Sequence, residues 1–385
     1  MKKISLIFSA VMIFVLSSCT VVPPQDNHKH EYVKGECECG ELEKYNSGKI
    51  VEENGFKFKD GVLLEYVGSP KIDLTLTKGD FEYLDVISED DNFKNVPYML
   101  QDIDHDIKLN PFIIPEYYME GDKKIYVREV AENAIQLDEA FNGLLIYNEH
   151  IKLNENSFSG TKLDVLAIIS SDYIAEDSIN IPEINVVYTN IKHIGTEAFC
   201  NTSIKYLSFG PNTEIIGEGA FAGCNTELIF LSKNIKTIGE YAFAGNSHWS
   251  NFSLPNSVTT IGQGAFEGFY CDGTFILGNG IDKISKEMFS GAEFSELRMP
   301  NTIKTIEEEA FKYATGLIII SNSVELIKTY AFDYFSGLVL IPSTVKTIET
   351  YAFHSAEEIY VMAESKPTGW DDEWAEGAKK IIWNF

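Results

Sequence analysis

Two histidines and two cysteines lie close together near the start of the chain, at His28, His30, Cys37 and Cys39. Imidazole nitrogens and thiolates are the ligands of tetrahedral structural Zn²⁺, and four of them complete its coordination. The pattern therefore predicts a zinc site, and Zn²⁺ is the one cofactor that the sequence suggests. The Cys-x-Cys spacing is shorter than is usual between zinc thiolates. The alternative is a small turn whose thiols oxidise outside the cytoplasm.

Other residues that could do chemistry do not form a catalytic pattern. The stretch 102–106 places three aspartates around a histidine, but a calcium loop also needs a glycine turn and a distal bidentate carboxylate, so we expect a solvated loop. The sequence has no nucleophile elbow, no phosphate-binding glycine loop and no dinucleotide fingerprint. We therefore expect a protein that is not an enzyme. The later histidines fall at different positions of the repeat described below: His150, His193, His248 and His354.

The composition indicates a folded and strongly acidic protein. Hydrophobic residues make up 44% of the 385 residues, which is too many for a disordered chain. The formal net charge is −27. Because phosphate backbones and anionic lipid headgroups repel such a charge, we expect neither nucleic acid nor a membrane surface as an electrostatic partner.

The first residues predict export and a lipid anchor. Two lysines precede an apolar run from Ile4 to Leu16, which suits a secretory signal and is too short to span a bilayer. The residues Leu16 to Cys19 resemble the lipobox of bacterial lipoproteins, which implies that Cys19 is lipidated and becomes the new N-terminus. Residues 1–18 are then a signal peptide, and residues 19–43 form a tether that contains the His/Cys module. The alternative is ordinary cleavage with an unmodified Cys19. The expected location is extracytoplasmic, with membrane contact through the lipid alone.

Eight aliphatic–aromatic pairs, each with the aromatic five residues after the aliphatic, recur in the second half of the chain. Most are written Ile-x-x-x-Ala-Phe, and successive phenylalanines are 21 to 23 residues apart. Such a fixed period is typical of a solenoid, whose stacked coils jointly bury the apolar side that no single coil can bury. The pairs are Ile194/Phe199, Ile216/Phe221, Ile238/Phe243, Ile261/Phe266, Ile284/Phe289, Ile306/Phe311, Ile327/Phe332 and Ile348/Phe353.

The same spacing extends upstream when isoleucine is allowed at the aromatic position, which gives about eleven coils of 20–23 residues. Each coil should contain a short apolar-x-apolar strand, a Val/Ile-x-x-Ile step and a closing Ala-Phe, whose phenylalanine joins an interior column. We divide the rest of the chain into an N-terminal cap with irregular coils at 44–125, repeats at 126–358 and a C-terminal cap at 359–385. Glycine two residues after the aromatic predicts a turn with positive φ at Gly160, Gly223, Gly245, Gly268 and Gly291.

The unit apolar-x-apolar-Pro-x-x-Val-x-x-Ile-Gly-x-x-Ala-Phe-x-Gly resembles the leucine-rich repeats of the BspA-like class, from about residue 113 to 358. The ending, with Trp370, Trp374 and Trp383, resembles the closing segment of that class. The resemblance implies a right-handed, mainly β solenoid that mediates protein–protein interaction or adhesion at the cell surface. The implied partner is a protein, either of the host extracellular matrix or of another bacterial surface.

The middle residue of each coil's strand should point away from the core, because side chains alternate along a strand. A contiguous apolar stripe on an exposed sheet is a candidate partner surface. We centre this surface on Phe230, Ile276, Ile319 and Leu340. Two alternatives are that strand propensity alone selects apolar residues here, or that a local twist covers some of them. The ten middle residues, of which all but the two serines and the arginine are apolar, are Leu145, Leu166, Val186, Ser208, Phe230, Ser253, Ile276, Arg298, Ile319 and Leu340.

The sequence also permits two alternative functions that differ from adhesion. One is a metal- or solute-binding lipoprotein that uses the His/Cys module. The other is a structural surface protein that self-associates through the apolar stripe.

Overall fold

The computed structural model shows a solenoid of about eleven coils, built of strands and turns, which confirms the predicted fold class. The part of the chain that the structure describes contains no α-helix, and so none long and apolar enough to cross a membrane. The described residues are 32–33, 36–37, 47–53, 56–66, 74–76, 107–109, 111–115, 117–137, 141–146, 151–154, 156–160, 162–168, 173–174, 179–247 and 249–385.

One face of each coil is a strand of two to seven residues that pairs in parallel with its neighbours. The inward residues of these strands are aligned in register and fully buried, as at Leu297, Ile318 and Val339. The first sheet contains Pro111–Ile113, Gly143–Ile146, Leu163–Ile168, Glu183–Thr189, Ser203–Phe209 and Leu228–Phe230. The second sheet contains Phe252–Ser253, Tyr270–Ile276, Glu293–Arg298, Thr315–Ile319, Ser336–Ile341, Glu358–Val361 and Lys380–Trp383.

A second face consists of two-residue parallel strands at the Val/Ile-x-x-Ile step. Antiparallel strands Ile50–Glu53, Phe56–Lys59 and Val62–Tyr66 extend this sheet at its N-terminal end. The short strands form two sheets of their own. One contains Glu129–Val130, Lys152–Leu153, Tyr173–Ile174, His193–Ile194, Ile215–Ile216, Thr237–Ile238 and Thr260–Ile261. The other contains Lys283–Ile284, Thr305–Ile306, Leu326–Ile327 and Thr347–Ile348.

The third face changes character along the molecule. Three early coils close with the strands Ile135–Gln136, Phe158–Ser159 and Ile179–Asn180, which pair in parallel. From Phe199 onward each coil closes with a turn at Ala-Phe, or at Met288-Phe289 in one coil, and the turns are joined by backbone hydrogen bonds such as Phe221 N–H to Ala242 O, 2.9 Å. The expected positive φ is found at Gly223, Gly245, Gly268 and Gly291. It is absent at Gly160, because that glycine directly follows a strand rather than closing a turn.

The closing phenylalanines form the predicted interior column. All eight, from Phe199 to Phe353, are fully buried. Rings of neighbouring coils lie 4.6–5.7 Å apart between centroids, with interplanar angles of 4–18°. At the C-terminal end Trp374 packs edge-on against Phe353 at 5.5 Å, and Trp370 packs against Trp374 at 4.9 Å. The column therefore ends against tryptophan instead of water.

Both long-strand and short-strand sheets are interrupted once, at different coils. The long-strand ladder stops between Leu228–Phe230 and Phe252–Ser253, and the short-strand ladder between Thr260–Ile261 and Lys283–Ile284. Side chains bridge the gaps: the Asn246 amide donates to Phe221 O at 2.8 Å, and Ser285 Oγ donates to Ile261 O at 2.6 Å. The two interruptions are offset, so in each gap the turns remain hydrogen-bonded, as from Phe243 N–H to Ala265 O and from Phe266 N–H to Met288 O.

The remaining described strands form three antiparallel pairs outside the repeats' regular ladders. They are Tyr32–Val33 with Glu36–Cys37, Leu74–Leu76 with Ile107–Leu109, and Tyr117–Glu120 with Lys123–Tyr126.

Candidate functional site

The outer face of the second long-strand sheet presents one row of side chains that runs across all its strands. The pairing register aligns Ile276 with Arg298, Arg298 with Ile319, and Ile319 with Leu340. Ile276 and Ile319 are 37% and 45% exposed. The structure therefore places three of the predicted residues on one row, with Arg298 between two of them. The fourth, Phe230, is half-buried and belongs to the first sheet, where it aligns with Ser208.

A second outward row makes the apolar surface two residues wide. Leu317 aligns with Leu338, and Ile319 aligns with Leu340. Both residues of each strand point outward, because one inward residue, Ile318 or Val339, lies between them. We call these four side chains the apolar quartet. Leu317 and Leu338 were missed in the sequence because only the middle residue of each strand was considered. A signal was present: the runs 317–320 and 338–341 are unbroken apolar sequences, which are typical of strands covered on both faces.

Charged groups frame the quartet on both sides. On the preceding strand Arg298 Nε donates to Glu296 Oε1 and Nη2 to Oε2, both at 3.0 Å, and this hydrogen-bonded guanidinium lowers the pKa of Glu296. On the following strands Tyr360 Oη donates to Glu358 Oε2 at 3.2 Å, and Lys380 Nζ lies 3.3 Å from the same oxygen. An apolar centre with a polar rim is the usual anatomy of a protein interface.

A shallow groove of about 270 Å³ adjoins the outward row where three neighbouring strands end. Ile276 and Arg298 of the outward row line it, together with Pro255, Asn279 and Pro300 from beyond the strand ends. The groove combines proline and aliphatic walls with amide and guanidinium groups. It therefore extends the candidate surface beyond the quartet towards the coil ends.

The outer face of the first sheet differs at its early strands, because the chain covers it there. Leu145 and Ala167 align on its outward row, and each is only 7% exposed. Strand Ile107–Leu109 lies against Leu163–Ile168. Among the described residues, the second sheet has no such cover over Ile276 and Ile319.

One residue assigned to the outward stripe was placed wrongly. Leu166 is fully buried and aligns with the inward Leu144, so its outward neighbour is Ala167. Val186 aligns with Val165 and lies two residues before Tyr188, so it is on the outer face as predicted, one row away from Tyr188. The early coils vary in length, and a slip of one residue exchanges the two faces of a strand.

The sites predicted near the N-terminus lie mostly outside the described residues. This applies to the lipidation residue Cys19, to the acidic stretch 102–106, and to His28, His30 and Cys39 of the proposed zinc site. Cys37 ends the short strand Glu36–Cys37. Zinc binding and lipidation therefore stay predictions. In the part of the chain that is described, no three His, Cys, Asp or Glu side chains cluster as metal ligands.

Repeated coils, an interior aromatic column and an open parallel sheet define a solenoid repeat protein that presents one broad face. The chain belongs to the BspA type leucine rich repeat region family: six repeat copies match over residues 168–292 and 265–360, half of the chain. No curated protein matches this sequence.

Solved structures with the same kind of repeat resemble the chain at low identity. A leucine-rich repeat protein from Bacteroides ovatus is 19% identical with a TM-score of 0.45; the match covers 71% of this chain and 63% of that one. A leucine rich cell surface protein from Faecalibacterium prausnitzii is 14% identical with a TM-score of 0.34, covering 88% and 96%. The pneumococcal vaccine antigen PcpA is 16% identical with a TM-score of 0.33, covering 88% and 99%. The chain thus spans less than two thirds of the first of these proteins.

Proposed function

We propose that this protein is a non-catalytic cell-surface protein that binds another protein through the outer face of its second sheet. The partner is a protein of the host extracellular matrix or of another bacterial surface. The apolar quartet forms the centre of the contact, the row with Ile276 and the adjoining groove extend it, and Phe230 contributes from the first sheet.

The observation that supports this proposal is the contrast between the two outer faces. Both sheets have apolar residues on their outward rows, but the described residues cover only the early strands of the first. Exposed aliphatic side chains on a regular sheet are unfavourable in water unless a partner covers them. Arg298 and Lys380, each already paired with a carboxylate, can serve as a polar rim that aligns the partner.

Changing the quartet to threonine is the direct test, because threonine keeps strand propensity while removing apolar contact. We expect binding to purified matrix or bacterial surface proteins to weaken by about a hundredfold or more, since central apolar contacts dominate interface energies. Surface plasmon resonance measures the affinity, and circular dichroism with thermal melting should show an intact fold. Ile50→Thr is a matched control, because Ile50 is 61% exposed on a different part of the molecule.

Undiminished binding by the quartet variant would contradict the proposed surface. Loss of self-association in place of partner binding, measured by analytical ultracentrifugation, would instead favour the structural surface protein.

We further propose that Cys19 carries the lipid that attaches the protein to the membrane. The support is the apolar run followed by Leu16-Ser-Ser-Cys19. Stable attachment requires more than one acyl chain, which a diacylglyceryl modification supplies. Cys19→Ser should move the protein from the membrane fraction to the soluble fraction in a bacterial expression host and abolish labelling with radioactive palmitate. A variant that remains membrane-bound and labelled would refute the anchor.

A further inference from the structure

The turn edge of the solenoid contains a column of residues with positive φ, two positions after each closing phenylalanine. Glycine accepts this conformation freely, whereas a bulky side chain is strained in it. Four successive coils use glycine, and the next two use tyrosine. The column contains Asn201, Gly223, Gly245, Gly268, Gly291, Tyr313, Tyr334 and Ser355.

Tyr313 and Tyr334 are strained without being buried. Their φ angles are 57° and 53°, and their side chains are 58% and 49% exposed. The two rings stack at 5.4 Å with an interplanar angle of 17°. Positive φ at a residue other than glycine recurs along this edge, as at Glu287 and Glu309, so the feature that points to binding is the exposed, stacked pair of rings.

A second tyrosine pair nearby is less available. Tyr330 and Tyr351 also have positive φ, and they stack at 5.7 Å, but both are half-buried. A hydrogen bond to the Glu373 carboxylate raises the pKa of Tyr351 to about 12. These residues support the edge but offer less free ring surface than Tyr313.

The glycines before Tyr313 form an open ledge. A Cβ atom placed on Gly291 or Gly268 would meet only the backbone of the preceding glycine, 3.9–4.0 Å away. The ledge thus has no side chains of its own in this column, and it ends at the ring of Tyr313. Its glycine N–H groups are already used between coils, as in Gly268 N–H to Ser290 O at 2.8 Å. An extended peptide therefore cannot add to it as a strand.

The polar groups beside the ring are paired with one another. Lys312 Nζ lies 2.8 Å from Glu309 Oε1 and 3.9 Å from Asp333 Oδ2, and Asp333 Oδ1 lies 2.7 Å from His354 Nδ1. The site therefore offers hydrogen bonds without a large unpaired charge. In a chain of net charge −27, an anionic ligand would be repelled.

We propose that the ledge and the Tyr313–Tyr334 pair bind a neutral saccharide. A sugar ring has an apolar face that packs on an aromatic ring and a rim of hydroxyls that hydrogen-bond to groups such as Lys312 and Glu309. This site lies on the turns and is independent of the protein-binding face of the second sheet.

Affinity electrophoresis in native gels that contain mannan, laminarin, xylan or dextran tests the proposal. The soluble chain should be retarded by at least one of these neutral polysaccharides. The double variant Tyr313→Gly, Tyr334→Gly should weaken that binding by about tenfold or more, because two aromatic contacts are lost. Its melting temperature should be unchanged or higher, since glycine fits the positive φ of this column.

Two controls separate binding from structure. The double variant Tyr313→Phe, Tyr334→Phe keeps both rings and should still be retarded, and so should Tyr117→Ala, which removes a tyrosine that is 39% exposed on a separate hairpin. Retardation by none of the four polysaccharides, or equal retardation of the glycine variant, would overturn the proposal. A glycine variant that both melts at a lower temperature and loses binding would attribute the loss to folding and would likewise overturn the proposal.

Discussion

Replacing Phe266 by alanine is expected to lower the free energy of unfolding by about 3–5 kcal/mol, the usual cost of removing a buried phenylalanine. Phe266 stacks with Phe243 and Phe289, both at 5.7 Å, and its ring also contacts Phe252 and Phe275. No single neighbour can move to fill the cavity, because each is held by its own coil. The column should therefore be interrupted at its centre.

Urea denaturation followed by tryptophan fluorescence measures this loss, and amide hydrogen exchange locates it. Exchange should quicken in the coils on both sides of Phe266, since solenoid stability is a sum of nearest-neighbour terms. Phe385→Ala is the matched control: the same side chain is removed from a position that is 64% exposed, and a change within about 0.5 kcal/mol is expected. A loss at Phe266 no larger than at Phe385 would show that the column does not support the fold.

Trp374→Ala is expected to have a comparable effect, about 3–5 kcal/mol, confined to the C-terminal end. Trp374 is 5% exposed and covers the ring of Phe353, and its backbone carbonyl accepts the Phe353 N–H at 2.8 Å. Without the indole, the last ring of the column faces water. An exposed coil end also promotes association with other chains.

Limited proteolysis with mass spectrometry checks this second prediction, since early cuts should appear after Phe332 and leave the preceding coils intact. Trp383 is a suitable control because it is half-buried at the rim of the same cluster, 6.2 Å from Trp374. Trp383→Ala should cost less. Cleavage spread evenly over all coils would mean that the cap acts on the whole molecule rather than on its end.

The sequence predicted the fold because the repeat determines its own packing. A phenylalanine at the same point of every coil must meet its counterparts, and the column from Phe199 to Phe353 does so. Glycine after the aromatic predicted the positive φ of the turn in four of the five coils named. The conformation at Tyr313 and Tyr334 was not predictable from residue type, because neighbouring coils impose it on side chains that disfavour it.

The candidate site was predicted only in part, and the reason is long-range contact. Alternation along a strand placed Ile276, Ile319 and Leu340 on the outer face. It could not show that Ile107–Leu109 would lie against the first sheet, or that no described residue would cover Ile276 and Ile319 on the second, since nothing local encodes such contacts. Leu166 was misplaced for a related reason: the register of a strand is set by its neighbours as well as by its own pattern.

The offset interruptions of the two ladders affect how the molecule deforms. Where the long-strand ladder stops after Leu228–Phe230, the backbone is joined on the other two faces, and one coil later the missing face is the short-strand one. The rod should therefore be less stiff over these two coils than where all three faces are joined, and its direction of easiest bending should rotate within them. Phe230 and the apolar quartet lie on opposite sides of this segment, so bending there changes the angle between them.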